Sequence, residues 1–592
     1  MGIMKYKQLA ELYSSLEKTS KRLEKTHLMA EFLRALPELN KQELEMYLLM
    51  IRGKVFSELE NKELGVSDKI VIKALSKCMG MKSDEINDEW KKLGDLGLVA
   101  GHLVNFRKQA TLFTHDLTVD KVFKNLRKLA DTQGKGSIEQ KIQLISELLS
   151  SADPVSARYI TRNVLQDLRV GVANSAMRDA IAWTFLSTNE QYDSESNSIS
   201  PENRENYNNI INITQAAYDK LNDFSELAEI SRKQGLAGLK KVKIRLGFPI
   251  KVMLGPKVKD FDEGFKTVGL PCQIEYKYDG FRMQIHKVKD KIRLFTRRLD
   301  EVTDQFPDVV NCIKDLVDAD EFILDSEAVG YDKESGKYLP FQSISQRIKR
   351  KYDIERVAKD YPVELNVFDI IFIDGNDLLN EPFSHRREIL EKVAHETKHK
   401  LKLARSLKID NKELAQQFFD ESLAAGNEGV MLKKLDAPYK PGSRVGHMVK
   451  MKPVMETLDL VITGAEWGNG KRSGWLTSFI LSCYDADTDS FIAMGKVGTG
   501  IKELDNNVGN ATFTQLTDLL KPYIIEENGK EIIVSPKIVV EIEFEEIQKS
   551  SSYESGFALR FPRLKVIRYD RSPNDCSTLE QIEEFFRGQN KR

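Results

Sequence analysis

Residues 274–282 read Ile-Glu-Tyr-Lys-Tyr-Asp-Gly-Phe-Arg. Ile274, Tyr276 and Tyr278 alternate as strand residues do, and Asp279-Gly280 follows as a turn signal. Lys277 therefore stands alone among apolar and aromatic neighbours beside a turn. A lysine so placed loses part of its hydration, and a lowered ammonium pKa makes it a nucleophilic amine. A solvated lysine on an exposed hairpin turn fits the same four residues, so Lys-x-Asp-Gly alone does not choose between the two. Further residues able to handle charge recur downstream. They are Thr296-Arg297-Arg298, Asp325-Ser-Glu327, Asn366-Val-Phe368-Asp-Ile370, Glu428-Gly-Val-Met-Leu-Lys433, Lys450-Met-Lys452, and Arg560-Phe-Pro-Arg563 before Arg568-Tyr-Asp-Arg571.

These residues need elements to bring them together. Residues 1 to about 235 predict helices. Leu9, Leu12, Leu16 and Leu23 fit one apolar stripe and Ile142, Ile145, Leu148 and Leu149 another, with Ser137 and Gln140 as a capping box. The polar run 192–201 reads as a surface loop. A basic stretch from Arg232 to Arg245 leads into Gly247-Phe-Pro-Ile-Lys-Val-Met-Leu254, a natural start for a new domain. Beyond it the pattern is mixed, with strands expected at 321–329, 363–373 and 428–433 and helices at 384–396 and 411–425. From 453 onward short strands dominate, at 458–465, 477–484, 491–497 and 538–545, as in a small closed barrel. The expected fold class is multidomain. An all-α domain spans 1–240, an α+β domain 241–452, and a β-barrel OB-fold domain 453–592.

Composition bounds the function. A chain of 592 residues exceeds one hydrophobic core. Its net charge of -1 excludes wholesale disorder without excluding nucleic acid, since phosphate binding needs a basic face and not a basic total. Cys78, Cys272, Cys312, Cys483 and Cys576 have no metal-ligand spacing and an odd count, which points to a reducing compartment without structural zinc. No apolar run is long enough for a membrane span, and the N-terminus lacks a signal-peptide core. A cytoplasmic protein without membrane contact is expected, or a nuclear one in a eukaryote.

The ordered set of motifs resembles that of ATP-dependent DNA ligases, closest to the replicative type of archaea and eukaryotes. The likeness extends through Ala157–Gly171, Lys496–Gly500, Phe544–Gln548 and Tyr553–Arg560, and covers roughly residues 100–592. It implies activation of a DNA 5′-phosphate in three in-line phosphoryl-group transfers. An enzyme lysine takes AMP from ATP, AMP passes to the 5′-phosphate, and the 3′-hydroxyl displaces it. It further implies the roles of single residues. Lys277 would be the nucleophile, with Lys450 and Lys452 lowering its pKa and neutralising the α-phosphate. Glu275, on the same strand face as Lys277, would accept the adenine amino group. Phe368 would stack on adenine, and Arg282 and Arg297 would hold the ribose and the nick phosphate. Glu327 and Glu428 would offer oxygens to Mg²⁺, with Mn²⁺ substituting, or to the ribose. Arg560 and the Arg568–Arg571 run would orient pyrophosphate.

Each of these residues also has an ordinary structural reading, and only their joint order favours the functional one. The chain departs from the family at His447-Met-Val before Lys450, at Ser326 where glycine is usual, and at Arg571 where lysine is common. Arg169 and Gly171 lie in a string shared with the family's helical DNA-binding domain. There Asn174 or Ser175 would cap a helix beside a phosphate site. Gln109, Leu112 and Phe113 resemble the truncated clamp-binding peptide of archaeal ligases, so a sliding clamp joins nicked duplex DNA as an expected partner of a monomer. mRNA capping enzymes and RNA ligases share Lys-x-Asp-Gly but lack the large helical domain. An NAD-dependent ligase would bring a cysteine zinc module. A non-catalytic DNA-binding scaffold would have no need of Lys277, Glu428, Lys450 and Lys452.

Overall fold

The computed structural model describes residues 4–57, 60, 62–106, 117–186, 188, 190–339, 341–348, 352–442, 445–453, 457–503 and 511–589. The chain forms two compact units, Met1–Ile70 with Thr111–Pro453, and Val71–Ala110 with Val454–Arg592.

The first unit begins with helices. Tyr6–Lys18 packs against Pro154–Val164 through Tyr13 and Tyr159, whose rings lie 5.2 Å apart. Pro154 at the first turn and the Asp153 carboxylate, which accepts from the Val155 and Ser156 amides, start the second of these helices. Glu17 ties the pair together by accepting from Arg158, Arg162 and Tyr159. The stripe expected through Leu23 stops earlier, because the first helix ends at Lys18 and Leu23 belongs to the next, Arg22–Arg34. Helix Ser137–Ser151 has Gly136 as its N-cap and no side-chain cap, so the expected Ser137–Gln140 box is absent. The polar run near 192–201 pairs as a hairpin, Glu190–Asp193 with Ser198–Pro201.

Two sheets follow in the same unit. The smaller has the order Ser406–Ile409, Cys272–Lys277, Gly429–Lys434, Met448–Met451, Lys257–Val258. The larger runs Leu401–Leu403, Val363–Ile373, Glu321–Gly330, Phe281–Val288, Lys291–Thr296. Period-2 alternation decides what each face carries. Cys272, Ile274, Val430, Leu432, Val449 and Met451 bury one face of the small sheet under helices Phe261–Val268 and Lys412–Ala424. Phe281, Met283, Leu324, Leu365 and Val367 bury one face of the large sheet. The opposite faces meet, with Met448 of one sheet packed among Ile323 and Ile371 of the other.

Asp279-Gly280 is therefore no hairpin turn. It carries the chain from Cys272–Lys277 in one sheet to Phe281–Val288 in the other. A Cβ at Gly280 would lie 2.4 Å from the Ala328 carbonyl oxygen, so this crossing requires glycine.

In the second unit, Leu458–Trp467, Leu476–Asp485 and Ser490–Val497 form a meander. Leu458–Trp467 also pairs with Glu531–Val534 and Val539–Glu543, and the latter with Arg563–Ile567. Leu460, Phe479, Met494, Val540 and Leu564 fill its core. No strand ladder among the described residues closes this sheet on itself. Helices Phe513–Leu520 and Leu579–Gln589 were not expected from the strand-rich pattern of this region.

Candidate active site

Register sets the site. Lys277 pairs with Gly429, and Glu275 with Met431, which pairs in turn with Lys450. These side chains share the face opposite the core of the small sheet and look toward the large one. Arg282, Asp325, Glu327 and Phe368 come from that sheet's facing surface, alternating with the core positions Phe281, Met283, Leu324, Ala328 and Val367. The charged motifs, scattered over some 175 residues, thus converge because two strand patterns have the same period.

Two lysines share one carboxylate. Lys277 Nζ lies 2.6 Å from Glu428 Oε2, and Lys452 Nζ lies 2.8 Å from the same oxygen. Burial works against a charge on Glu428, yet the two ammoniums prevail and hold its carboxyl down at about 2. Gly429 must follow, because a Cβ there would stand 2.2 Å from the Met451 carbonyl oxygen and its φ is +139°. Nearby, burial pushes the Glu327 carboxyl up to about 7; Glu428 and Asp325 add to the rise, and Lys277 and Arg282 oppose it.

Arg282 is held on several sides. It donates through Nε to Asp325 Oδ1 at 2.8 Å and through Nη1 to the Met253 carbonyl at 2.6 Å, and its Nη2 reaches Asp325 Oδ2 and the Tyr439 hydroxyl. Its guanidinium carbon also lies 5.3 Å from the centre of the Phe368 ring. Arg297 is exposed just past the end of strand Lys291–Thr296. Glu275 is buried, with Gln273 Nε2 donating to its Oε1 at 2.9 Å and Lys433 Nζ standing 2.6 Å from its Oε2. Arg560 belongs to the second unit, where it faces Glu546 Oε2 at 3.4 Å. Arg571 and Arg568 both reach Asp459.

Arg169 and Gly171 lie in a loop of left-handed residues, with φ of +61° and +60°. Lys25 donates to the carbonyls of Val170 and Gly171, and Arg169 donates to Asp167 at 2.6 Å. The helix beyond, Asn174–Phe185, has Ala173 as its N-cap and no side-chain cap, so neither Asn174 nor Ser175 caps it. Asn174 Oδ1 instead accepts from Arg52 at 3.3 Å. Gln109, Leu112 and Phe113 lie outside the described residues.

The sequence motifs contain Asp325 and Lys433 but gave them no role, and they did not single out Tyr439, Gln273 or Arg387, whose Nη1 stands 4.0 Å from Glu275 Oε1. Lys433 carried a readable signal, since positions 429, 431 and 433 of one strand must share a face. Tyr439 carried none, because it reaches Arg282 from a loop.

Family models match along the chain. "DNA ligase N terminus" matches residues 5–182, "ATP dependent DNA ligase domain" residues 252–452, and "ATP dependent DNA ligase C terminal region" residues 472–571. The DNA ligase of Nanoarchaeum equitans (strain Kin4-M) is 47% identical over 583 residues, which cover 98% of each chain. The chain belongs to the ATP-dependent DNA ligases. The DNA ligase of Thermococcus onnurineus (strain NA1) is 38% identical to it over 591 residues, covering 100% of this chain and 99% of the relative. The solved structure "Pmar-Lig_PreS3" shares the fold at a TM-score of 0.57 and 16% identity, covering 95% of this chain and 99% of its own. The ligase is a multidomain enzyme with a helical N-terminal region, a central nucleotidyltransferase domain and a C-terminal β domain.

Proposed function

We propose that Lys277 is the amine on which this ligase carries AMP while it seals nicks in duplex DNA. The observation that carries the reading is the convergence of Lys277 and Lys452 on Glu428 in the cleft between the two sheets. Lys277 first gives up a proton to solvent; the free amine attacks the α-phosphorus of ATP, an N–P bond forms with loss of a second proton to solvent, and the P–O bond to pyrophosphate breaks. AMP then passes to the DNA 5′-phosphate and leaves when the 3′-hydroxyl attacks. With its carboxyl held near 2, Glu428 acts as a charge partner and not as a base. Lys450 and Lys452 face the transferring phosphoryl, whose charge spreads over its oxygens. Glu275 and Phe368 take the adenine, and Arg297 reaches the nick phosphate.

Mg²⁺, with Mn²⁺ substituting, fits beside Glu327, a half-buried carboxyl that already lies next to a second carboxylate. Among the described residues no group of three or more acidic, histidine or cysteine side chains could hold a metal alone, so phosphate oxygens and water would complete its shell. Glu428, already shared by two ammoniums, is the weaker of the two expected ligands. When bound, the ion supplies positive charge against the phosphate oxygens.

We read domain limits of 1–240, 241–452 and 453–592, a reading supported by the change from helices to two sheets and then to the meander. For the last domain we read an OB barrel. The Leu564 amide donates to the Thr499 carbonyl at 3.0 Å, which links the far strand Arg563–Ile567 to the segment just past Ser490–Val497. Arg560 and Arg571 orient pyrophosphate from that domain. Arg169 and Gly171 hold duplex phosphates without reading sequence. Gln109, Leu112 and Phe113 engage a sliding clamp, a reading that rests on their sequence. The ligase works as a monomer, with the DNA of the cell and away from membranes; among the described residues no helix is long and apolar enough to cross one.

The deciding experiment is intact mass spectrometry after incubation with ATP. A gain of one AMP that Lys277→Ala abolishes supports the assignment, and an undiminished adduct in that variant overturns it.

A further inference from the structure

The motif that begins at Glu428 ends at Lys433, to which the reading above gives no task. Lys433 pairs in register with Gln273, so its side chain lies diagonally across from Glu275 on the same sheet face. Its ammonium stands 2.6 Å from Glu275 Oε2, with side-chain exposures of 6% and 2%. The rings of Phe368 and Phe383 flank the same nitrogen, with centres at 4.6 and 4.7 Å. On the other oxygen of Glu275, Gln273 Nε2 donates at 2.9 Å and Arg387 Nη1 stands 4.0 Å away. The Glu275 carboxylate is thus fixed in place by two cations and an amide, and one of those cations touches the ring proposed to stack on the base.

We infer that Lys433 is a positioning residue that makes Glu275 selective for a 6-amino purine. The inference rests on the reading that Glu275 receives the adenine amino group. An ion-paired carboxylate accepts hydrogen bonds and donates none. Adenine offers an N–H at position 6, whereas hypoxanthine and guanine offer an oxygen, which meets the carboxylate lone pairs and is repelled. Without Lys433, Oε2 loses the partner that fixes it, and the carboxylate can swing to accept from the N1–H of a 6-oxo purine. Discrimination between the two kinds of base then falls, because it depends on a fixed acceptor.

The experiment measures enzyme–AMP against enzyme–IMP formation by intact mass, from ATP and from ITP, on full-length protein. Lys433→Met should lower the ATP/ITP ratio of initial rates by on the order of tenfold or more, the loss of about one good hydrogen bond's discrimination. Lys433→Arg, which keeps a cation on Oε2, should keep the ratio within about twofold of the original. If Lys433→Met does not fold, Lys433→Gln, which keeps a donor and removes the charge, carries the same test. A ratio unchanged in the uncharged variant overturns the inference, as does equal loss in Lys433→Arg. Glu275→Gln separates the two levels. If it leaves the ratio unchanged, the adenine reading of Glu275 is wrong. If it relaxes the ratio while Lys433→Met does not, only the role of Lys433 fails.

Discussion

Arg282 and Asp325 lie on neighbouring antiparallel strands and form a two-pronged ion pair, with the Asp325 side chain wholly buried and that of Arg282 13% exposed. The Tyr439 hydroxyl donates to Asp325 Oδ2 at 2.8 Å, so the pair is fastened to the loop after strand Gly429–Lys434. This arginine belongs to the frame of the site as much as to its contact surface.

Truncating Arg282 to Ala should therefore destabilise the fold by about 3–5 kcal/mol, the cost of leaving a buried carboxylate without its cation. Urea denaturation followed by circular dichroism measures it. Arg297→Ala, at an exposed position, should leave that midpoint unchanged and slow only nick sealing. Equal midpoints for both variants would contradict the framing role of Arg282.

Lys277→Ala and Lys277→Arg should both lose AMP labelling to background, the first for want of an amine and the second because a guanidinium stays protonated. Both should still seal part of a supply of pre-adenylated nicks, since that last step does not use the amine. Gel assays on the two substrates report the difference.

The raised Glu327 carboxyl has a pH signature. Because the folded protein binds this proton up to about 7 and the unfolded chain releases it near 4.5, the folded state holds more protons between those values. Stability from this group is present below pH 4.5 and is lost as pH rises to 7. Glu428 acts in the opposite sense, its contribution vanishing as pH falls from 4.5 toward 2. Glu327→Gln should thus raise the melting temperature more at pH 8 than at pH 5, in protein free of metal and nucleotide. Differential scanning calorimetry at the two pH values decides it; a larger gain at pH 5 would refute the assignment.

The role of the C-terminal arginines is best tested by Arg560→Ala and Arg571→Ala. A truncation before residue 557 would remove Leu559, Leu564, Ile567 and Ile582 from the core of their unit. Each point variant should lower the rate of AMP labelling at least tenfold while sealing of pre-adenylated nicks falls less. Equal losses in both assays would assign these residues to DNA contact instead.

Arg169→Ala should weaken binding to all nicked duplexes alike and reduce the slope of affinity against salt by about one phosphate contact. Changing Leu112 and Phe113 to Ala should spare sealing by the isolated ligase and abolish stimulation by a sliding clamp. Sealing titrations with and without the clamp show which.

What the sequence made legible were the features with a period. Strands 363–373 and 458–465, and helix 412–424, follow from alternation or a 3.6-residue repeat, and so does the shared face of Glu275 and Lys277. Asp279-Gly280 misled because the same dipeptide serves a hairpin and a crossing between sheets. The difference lies in the Ala328 carbonyl, 48 residues away in sequence, that forbids a Cβ. The helix caps failed for a related reason. Gly136 and Ala173 precede the helices and have no side chain to cap them, and Asn174, just inside the second, accepts from Arg52 instead. Tyr439, joined to Asp325 over 114 residues of chain, could come only from the folded structure.

If Lys277 carries AMP as proposed, the oxygen that it shares with Lys452 makes Glu428 a charge counter for the reaction cycle. Counted at formal charge, the two lysines and one carboxylate sum to +1, a welcome for the anionic phosphates of ATP. Once Nζ is bonded to phosphorus it carries no positive charge, and the α-phosphate brings one negative charge, so the same group sums to -1. Lys277 then no longer holds Glu428, and Lys452 is left to serve the carboxylate and the phosphate together. The AMP-bearing enzyme has thereby lost its local attraction for a second triphosphate, and release of pyrophosphate is favoured by the same change of sign. On that reading, one carboxylate between two lysines reverses the sign of the local charge once AMP is bound.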